Sequence, residues 1–214
     1  MGALASNGRQ SLPKLRERFM PFSSLRSGRI LTAAVALVGA ALLSHAVSAQ
    51  QSGATFDMVP GAGIASCLPN AHGHVSIRSE GVVERMRIDV RGLPANAQFD
   101  LFVTELPNKP FGIAWYQSDL ETNSHGEGHV EVVGRFNVET FSVSTGGPVT
   151  TFPPTHMYHL GLWFNDPQLP FDLGCEPGQA KPSVTPFNGE QHAGIQVLNT
   201  SNFPDNAGPL SLVK

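Results

Sequence analysis

Residues 82–105, VVERMRIDVRGLPANAQFDLFVTE, alternate apolar and charged side chains on either side of a Gly-Leu-Pro turn. Met86, Ile88 and Val90 interleave with Arg85, Arg87, Asp89 and Arg91. Gly92, Pro94 and Asn96 break the pattern, and Phe99, Leu101 and Val103 resume it. Successive strand side chains point to opposite faces, so the apolar set meets a core and the charged set meets water. The stretch predicts two strands joined by a turn.

The N-terminus predicts export. Six Lys and Arg and one acid, Glu17, lie in the first 29 residues, and residues 30–47 carry no Asp, Glu, Lys or Arg. Val47-Ser48-Ala49 supplies the small residues that signal peptidase requires, so cleavage is expected between Ala49 and Gln50. If uncut, residues 30–47 are near the lower length limit for a membrane anchor. No Arg-Arg pair precedes the apolar run, which favours the general secretory route over the twin-arginine one. The chain is thus expected to be secreted or otherwise extracytoplasmic, touching a membrane only where the leader is retained. Of 14 Lys and Arg and 17 Asp and Glu, 8 and 16 follow residue 49, a net charge of −8 with His neutral. That balance argues against nucleic acid, whose phosphates need clustered cations, and against anionic lipid. The expected partner is an extracellular ligand or protein. Cys67 and Cys175 are the only cysteines. In an oxidising compartment they can pair, with a gain of roughly 4–5 kcal/mol by chain entropy.

No stretch after residue 49 shows a helical apolar period. Short alternating runs fall at residues 74–78, 113–118, 129–135, 136–143, 156–164 and 193–199, separated by Gly, Pro and Asn. Gly134 offers a bulge, residues 156–164 (HMYHLGLWF) a central strand covered on both faces, and Asn188-Gly189 a turn. Residues 165–186 hold five prolines and read as irregular. The expectation is an all-β, Ig-like antiparallel β-sandwich of seven to eight strands over residues 73–199. Residues 50–72 form a linker or lead-in, with one edge strand near residues 55–59, and residues 200–214 an extended tail. The sequon Asn199-Thr200-Ser201 matters only in a eukaryotic secretory path.

The order of strand, Gly92-Leu93-Pro94, a strand holding Phe99 and Leu101, and a polar turn with Gly126 and Gly128 resembles the extracytoplasmic domain of bacterial anti-sigma factors and of related exported proteins. The likeness covers residues 74–133. It implies an Ig-like sandwich outside the cytoplasm. It does not imply sigma regulation, because only 29 basic-rich residues precede the apolar run where that family carries a sigma-binding domain.

Histidines are the main candidates for a site. His72 and His74 stand two apart, on one face of a strand, and with His125 and His129 form a candidate copper or zinc set. His156 and His159 are three apart, so at most one can join. Trp115-Tyr116 and Trp163-Phe164 can line a sugar or peptide groove, or simply pack. Arg85, Arg87 and Arg91 around Asp89 form a basic stripe, a grip for an acidic partner or a solvated face. No nucleophile elbow, zinc-protease, P-loop or dinucleotide motif is present. Asp89, Asp100 and Asp119 can each orient a histidine, yet nothing selects a catalytic set. The leading expectation is a non-catalytic binding or structural module without cofactor. A copper- or zinc-binding protein and a secreted hydrolase are the alternatives. N-terminal sequencing of the exported protein is expected to read Gln50-Gln51-Ser52; a chain that still begins at Met1 would show the leader to be an anchor.

Overall fold

The computed structural model describes residues 53–140, 142–144, 146–153, 155–186 and 192–213. The leader, the cleavage site at Ala49 and Gln50, and the Asn188-Gly189 turn lie outside these. Eight strands carry the fold: β1 (Gly53–Pro60), β2 (His72–Ser79), β3 (Glu84–Arg91), β4 (Gln98–Thr104), β5 (Ala114–Glu121), β6 (Gly128–Gly134), β7 (His159–Phe164) and β8 (Gln196–Asn199). They form one antiparallel sheet in the order β5-β4-β7-β8-β1-β2-β3-β6. Its two end strands follow one another in the chain, and a Thr122–Gly128 bridge draws them together, so the sheet is nearly closed. Two-residue ladders between residues 138 and 193 decorate it.

The alternation read in the sequence sets which face is inside. Phe56 and Met58 of β1, Val75 and Ile77 of β2, and Met86 and Ile88 of β3 point into one core with Phe99, Leu101, Val103, Leu160, Leu162 and Phe164. Each fully buried Leu or Phe contributes roughly 1.5–3 kcal/mol of transfer free energy. The turn between β3 and β4 depends on two glycines. Gly92 and Gly126 have φ of 69° and 72°, and a Cβ on either would strike a carbonyl, of Asn70 and Leu93 respectively.

Four expectations need correction. The edge strand near residues 55–59 is a central one: β1 pairs with β2 along Gly53–Met58 and with β8 at Val59 and Pro60. Its Gly, Ala and Pro content hid an inward row of Ala54, Phe56 and Met58. The C-terminal segment is packed rather than loose. Pro209–Leu212 is a 3-10 turn, Leu210 and Val213 are buried, and Phe203 meets Phe56 edge to face. Residues 165–186 include a short helix, α2 (Gln168–Asp172); a first one-turn helix, α1 (Ile64–Cys67), precedes β2. Gly134 ends β6 instead of bulging it, and the irregularities fall at Leu101/Phe102 and Leu162/Trp163. Asn199 is fully buried, which closes the sequon to a glycan.

Cys67 and Cys175 form a disulfide across 108 residues, tying α1 to the loop after α2. Among the described residues no helix is long and apolar enough to cross a membrane.

β7 matches its apolar sequence: all six residues are buried. Its outward His159 is held on both ring nitrogens, by the Thr200 hydroxyl at 2.9 Å and the Asp205 carbonyl at 3.0 Å. A carbonyl only accepts, so Nε2 carries the proton and Nδ1 accepts from Thr200. Burial pushes the His159 pKa below 6.5. The unfolded chain therefore binds this proton more readily. Stability linked to His159 is complete above about pH 6.5 and is lost as pH falls from there toward the depressed folded value. Chemical denaturation at pH 7 and pH 5 is expected to show a smaller pH-dependent loss in H159Q than in the parent; equal losses would mean that His159 is not the titrating group.

Candidate functional site

Two surfaces gather the polar side chains. The first is the outer face of β1, β2, β3 and β6. Asp57, His74, Asp89 and His129 occupy one cross-strand row, each the register partner of the next. His74 Nδ1 donates to Asp57 Oδ1 at 2.8 Å, and His72 Nε2 stands 3.6 Å from the same oxygen. The His74 bond holds the Asp57 carboxyl below its ordinary value. Arg87 clasps Asp89 with two N–H groups at 2.9 and 2.6 Å and lowers its pKa. Arg85 bonds Glu80 and Glu131. The predicted basic stripe is thus largely neutralised in place. These pairs lie on the outer face of the sheet, where water screens them.

The histidines are placed as follows. His72 and His74 share a face and meet on Asp57, while His129 lies on the far side of Asp89. His125 sits exposed in the turn whose backbone N–H groups bond the Asn123 side chain. His156 stacks on Tyr158, and His192 is exposed at the start of a two-residue ladder. Among the described residues no group of three or more His, Cys, Asp or Glu is arranged to hold a metal ion.

The second surface lies outside β4, β7 and β8. Trp163 and Phe164 part as neighbours in a strand must: Phe164 enters the core, and Trp163 turns outward, yet is only 3% exposed. Phe102 and Phe111 cover it edge to face at centroid distances of 5.3 and 5.1 Å. Gly161 leaves the room, because a Cβ there would collide with the Trp163 ring and the Gln196 amide. Trp115 and Tyr116 are by contrast 50% and 40% exposed on β5.

Beside Trp163 opens a cleft of about 410 Å³, lined by Asn108, Lys109, Phe111, Glu176 and Gln196 among others. Volume does not single it out, since another cleft near His156 and Tyr158 measures about 470 Å³. Its unsatisfied polar atoms do. Five buried side-chain atoms among the described residues lack a hydrogen-bond partner, and three belong to residues lining this cleft: Trp163 Nε1, Gln196 Nε2 and Glu176 Oε1. Glu176 is only 9% exposed. Its other oxygen accepts from the Ser183 N–H at 2.9 Å, and the Gln196 oxygen accepts from Asn199 Nδ2 at 2.8 Å. Each side chain is therefore held by one hydrogen bond while its other polar atom is buried without a partner. Buried polar groups are nearly always bonded, so three orphans on residues that line one cleft set it apart from the other clefts.

A fourth orphan, Asp100 Oδ2, is fully buried on β4 beside Asp119 and Trp163. Asp100 Oδ1 accepts from Asn165 at 3.0 Å, and Asp119 accepts from the Tyr116 hydroxyl at 2.6 Å. Burial, with Asp119 adding to it, raises the Asp100 pKa. Neither aspartate has a histidine as its register partner.

No protein-family model matches the chain, and no curated protein matches it.

Because the folded pKa of Asp100 lies above 3.8, folding favours the neutral acid. That contribution is complete below about 3.8 and is lost as pH rises through the folded value. Asn at this position can keep the Asn165 bond and donate to Asp119. D100N is expected to melt higher than the parent at pH 7, by a margin that shrinks toward pH 4; a lower Tm at pH 7 would show that the ionised carboxylate has a use.

Proposed function

We propose that this protein is an exported, non-catalytic binding module. In this reading residues 1–49 are removed as a signal peptide, and the nearly closed sheet is an Ig-like β-sandwich of the kind the anti-sigma resemblance implies. The cleft beside Trp163 takes a small polar ligand. One observation carries the reading: two donors and one acceptor, all buried and unpartnered, belong to residues lining a single cleft. Its volume of about 410 Å³ lies within the roughly 300–1,000 Å³ of small-molecule sites. The disulfide and the acidic balance after residue 49 suit an oxidising compartment outside the cytoplasm.

The test is a thermal-shift screen of the exported protein against sugars, amino acids, amines and carboxylic acids. A ligand at a hundredfold excess over its Kd stabilises the folded state by about 2.7 kcal/mol, so a clear rise in Tm is expected with at least one compound. Trp163→Phe keeps an aromatic ring and removes the N–H; it is expected to weaken binding by about tenfold, or about 1.4 kcal/mol. A panel without a single shift, or a shift indifferent to both Trp163→Phe and Glu176→Gln, would overturn the proposal.

A further inference from the structure

We infer that the Cys67–Cys175 disulfide is a reducible latch on residues 173–183: a dithiol reductant opens this loop and leaves the sheet folded. The latch is independent of the binding reading and holds whether or not the cleft is filled.

The bond joins two unequal partners. α1 belongs to the core, since Ile64 is fully buried and Cys67 packs against the core cluster. Residues 173–183 do not: Cys175 and Glu176 are buried, and Pro177 to Lys181 are exposed throughout. The hydrogen bonds of this segment are local. The N–H groups of Leu173, Gly174 and Cys175 donate to the carbonyls of Leu169, Phe171 and Pro170. Gln179 donates to the Glu176 carbonyl, and Ser183 to the Glu176 carboxylate. Among the described residues the segment makes no hydrogen bond or ion pair to α1 or to the eight strands. The next attachment along the chain is the short ladder of Thr185 and Pro186 with Ala193 and His192. Apart from the packing of Cys175 and Glu176, the disulfide is what ties this loop to the body of the protein.

Two terms oppose each other once the bond is cut. Burial of one small thiol and the local hydrogen bonds favour the closed loop. Conformational entropy favours the open one, and it counts against every residue held in place. Segments with few buried contacts and exposed backbone open well before the whole molecule unfolds. Reduction therefore frees this segment first, while the eight-strand ladder and the core beneath it remain. Cys175, Glu176, Pro177 and Gln179 are among the residues lining the cleft beside Trp163, so the state of the bond decides whether that wall stands.

The chemistry is thiol–disulfide exchange. A thiolate of the reductant attacks one cysteine sulfur, the S–S bond breaks, and the other cysteine leaves as a thiolate. The second thiol of the reductant then attacks the mixed disulfide and releases the first cysteine. The dithiol is oxidised to its own disulfide, and the two electrons and two protons that it gives up end on Cys67 and Cys175.

The exported protein is treated with dithiothreitol in native buffer. Iodoacetamide counts the freed thiols, and amide hydrogen exchange is followed by mass spectrometry. Both cysteines are expected to be alkylated while the far-ultraviolet circular dichroism spectrum stays that of the parent. Exchange is expected to speed up about tenfold or more over residues 173–183 and to stay unchanged in β2, β3 and β7. Reoxidation of an unalkylated sample is expected to restore protection, and the Cys67→Ala/Cys175→Ala double variant to show the open pattern without any reductant. Thiols that appear only in denaturant would show that the bond is not reducible in the folded protein. Loss of the β spectrum on reduction, or faster exchange throughout the sheet, would make the bond a staple of the whole fold. Freed thiols with exchange over residues 173–183 unchanged would show that packing alone holds the loop. Each of these three results overturns the inference.

Discussion

β7 lies in the middle of the sheet, and it is buried from His159 to Phe164 without a break. A strand in that position needs cover on two faces, and each face has its own chemistry. Inward, Leu160, Leu162 and Phe164 join the main core. Outward, His159, Gly161 and Trp163 must be covered by whatever the chain can lay over the sheet. The residues after β8 supply the Thr200 hydroxyl and the Asp205 carbonyl to His159. The segment after β4 supplies Phe111 to Trp163. These covering pieces are loops, and loops carry polar backbone and side chains that need partners of their own. The cleft arises where the cover is incomplete.

The other half of the sheet has the opposite character. β2, β3 and β6 expose many charged side chains, and most of these are paired with an opposite charge. Arg85 meets Glu131 across β3 and β6, Arg87 meets Asp89 along β3, and His74 meets Asp57 across β2 and β1. Of these pairs, His74 and Asp57 face each other in register, and such a pair favours the observed register over a slipped one. They also satisfy one another, so this face has little unspent polarity to offer a partner. His72 and His74 share a face, as their spacing demands, and both lie at Asp57, with His129 beyond Asp89 in the same row.

Much of the framework was legible in the sequence because alternation is local. Arg85 to Arg91 showed its inner and outer faces, Gly92 and Gly126 marked turns, and the apolar run containing β7 announced double burial. β1 was harder: Gly53, Ala54 and Pro60 are poor strand formers, and its place follows from pairing with β2 and β8, partners that alternation cannot name. The C-terminal segment was misread for the same reason, since Leu210 and Val213 are buried by contacts remote in sequence. The cleft was the least legible. Its residues come from five segments, around positions 62, 109, 163, 176 and 196, and none forms a motif. Trp163 was visible as an aromatic candidate. Glu176 was hidden in a Pro- and Gly-rich stretch, and the only signal near it was Cys175.

That adjacency has a physical consequence. The disulfide pins Cys175 to α1, and α1 lies between β1 and β2 in the chain. Glu176 is the next residue, so its backbone is held by a covalent bond within one peptide unit. Its carboxylate is then fixed by the Ser183 N–H. A loop rich in proline and glycine would otherwise lose entropy each time it ordered around a ligand. Here the ordering is completed on folding, and the acceptor waits in position. On the facing side Gln196 is oriented by Asn199, and Trp163 is held by Phe102 and Phe111. The three unpartnered atoms therefore belong to side chains that are each held by other contacts. Under the proposed binding reading, such preorganisation lets a small ligand with few contacts bind without also ordering the protein.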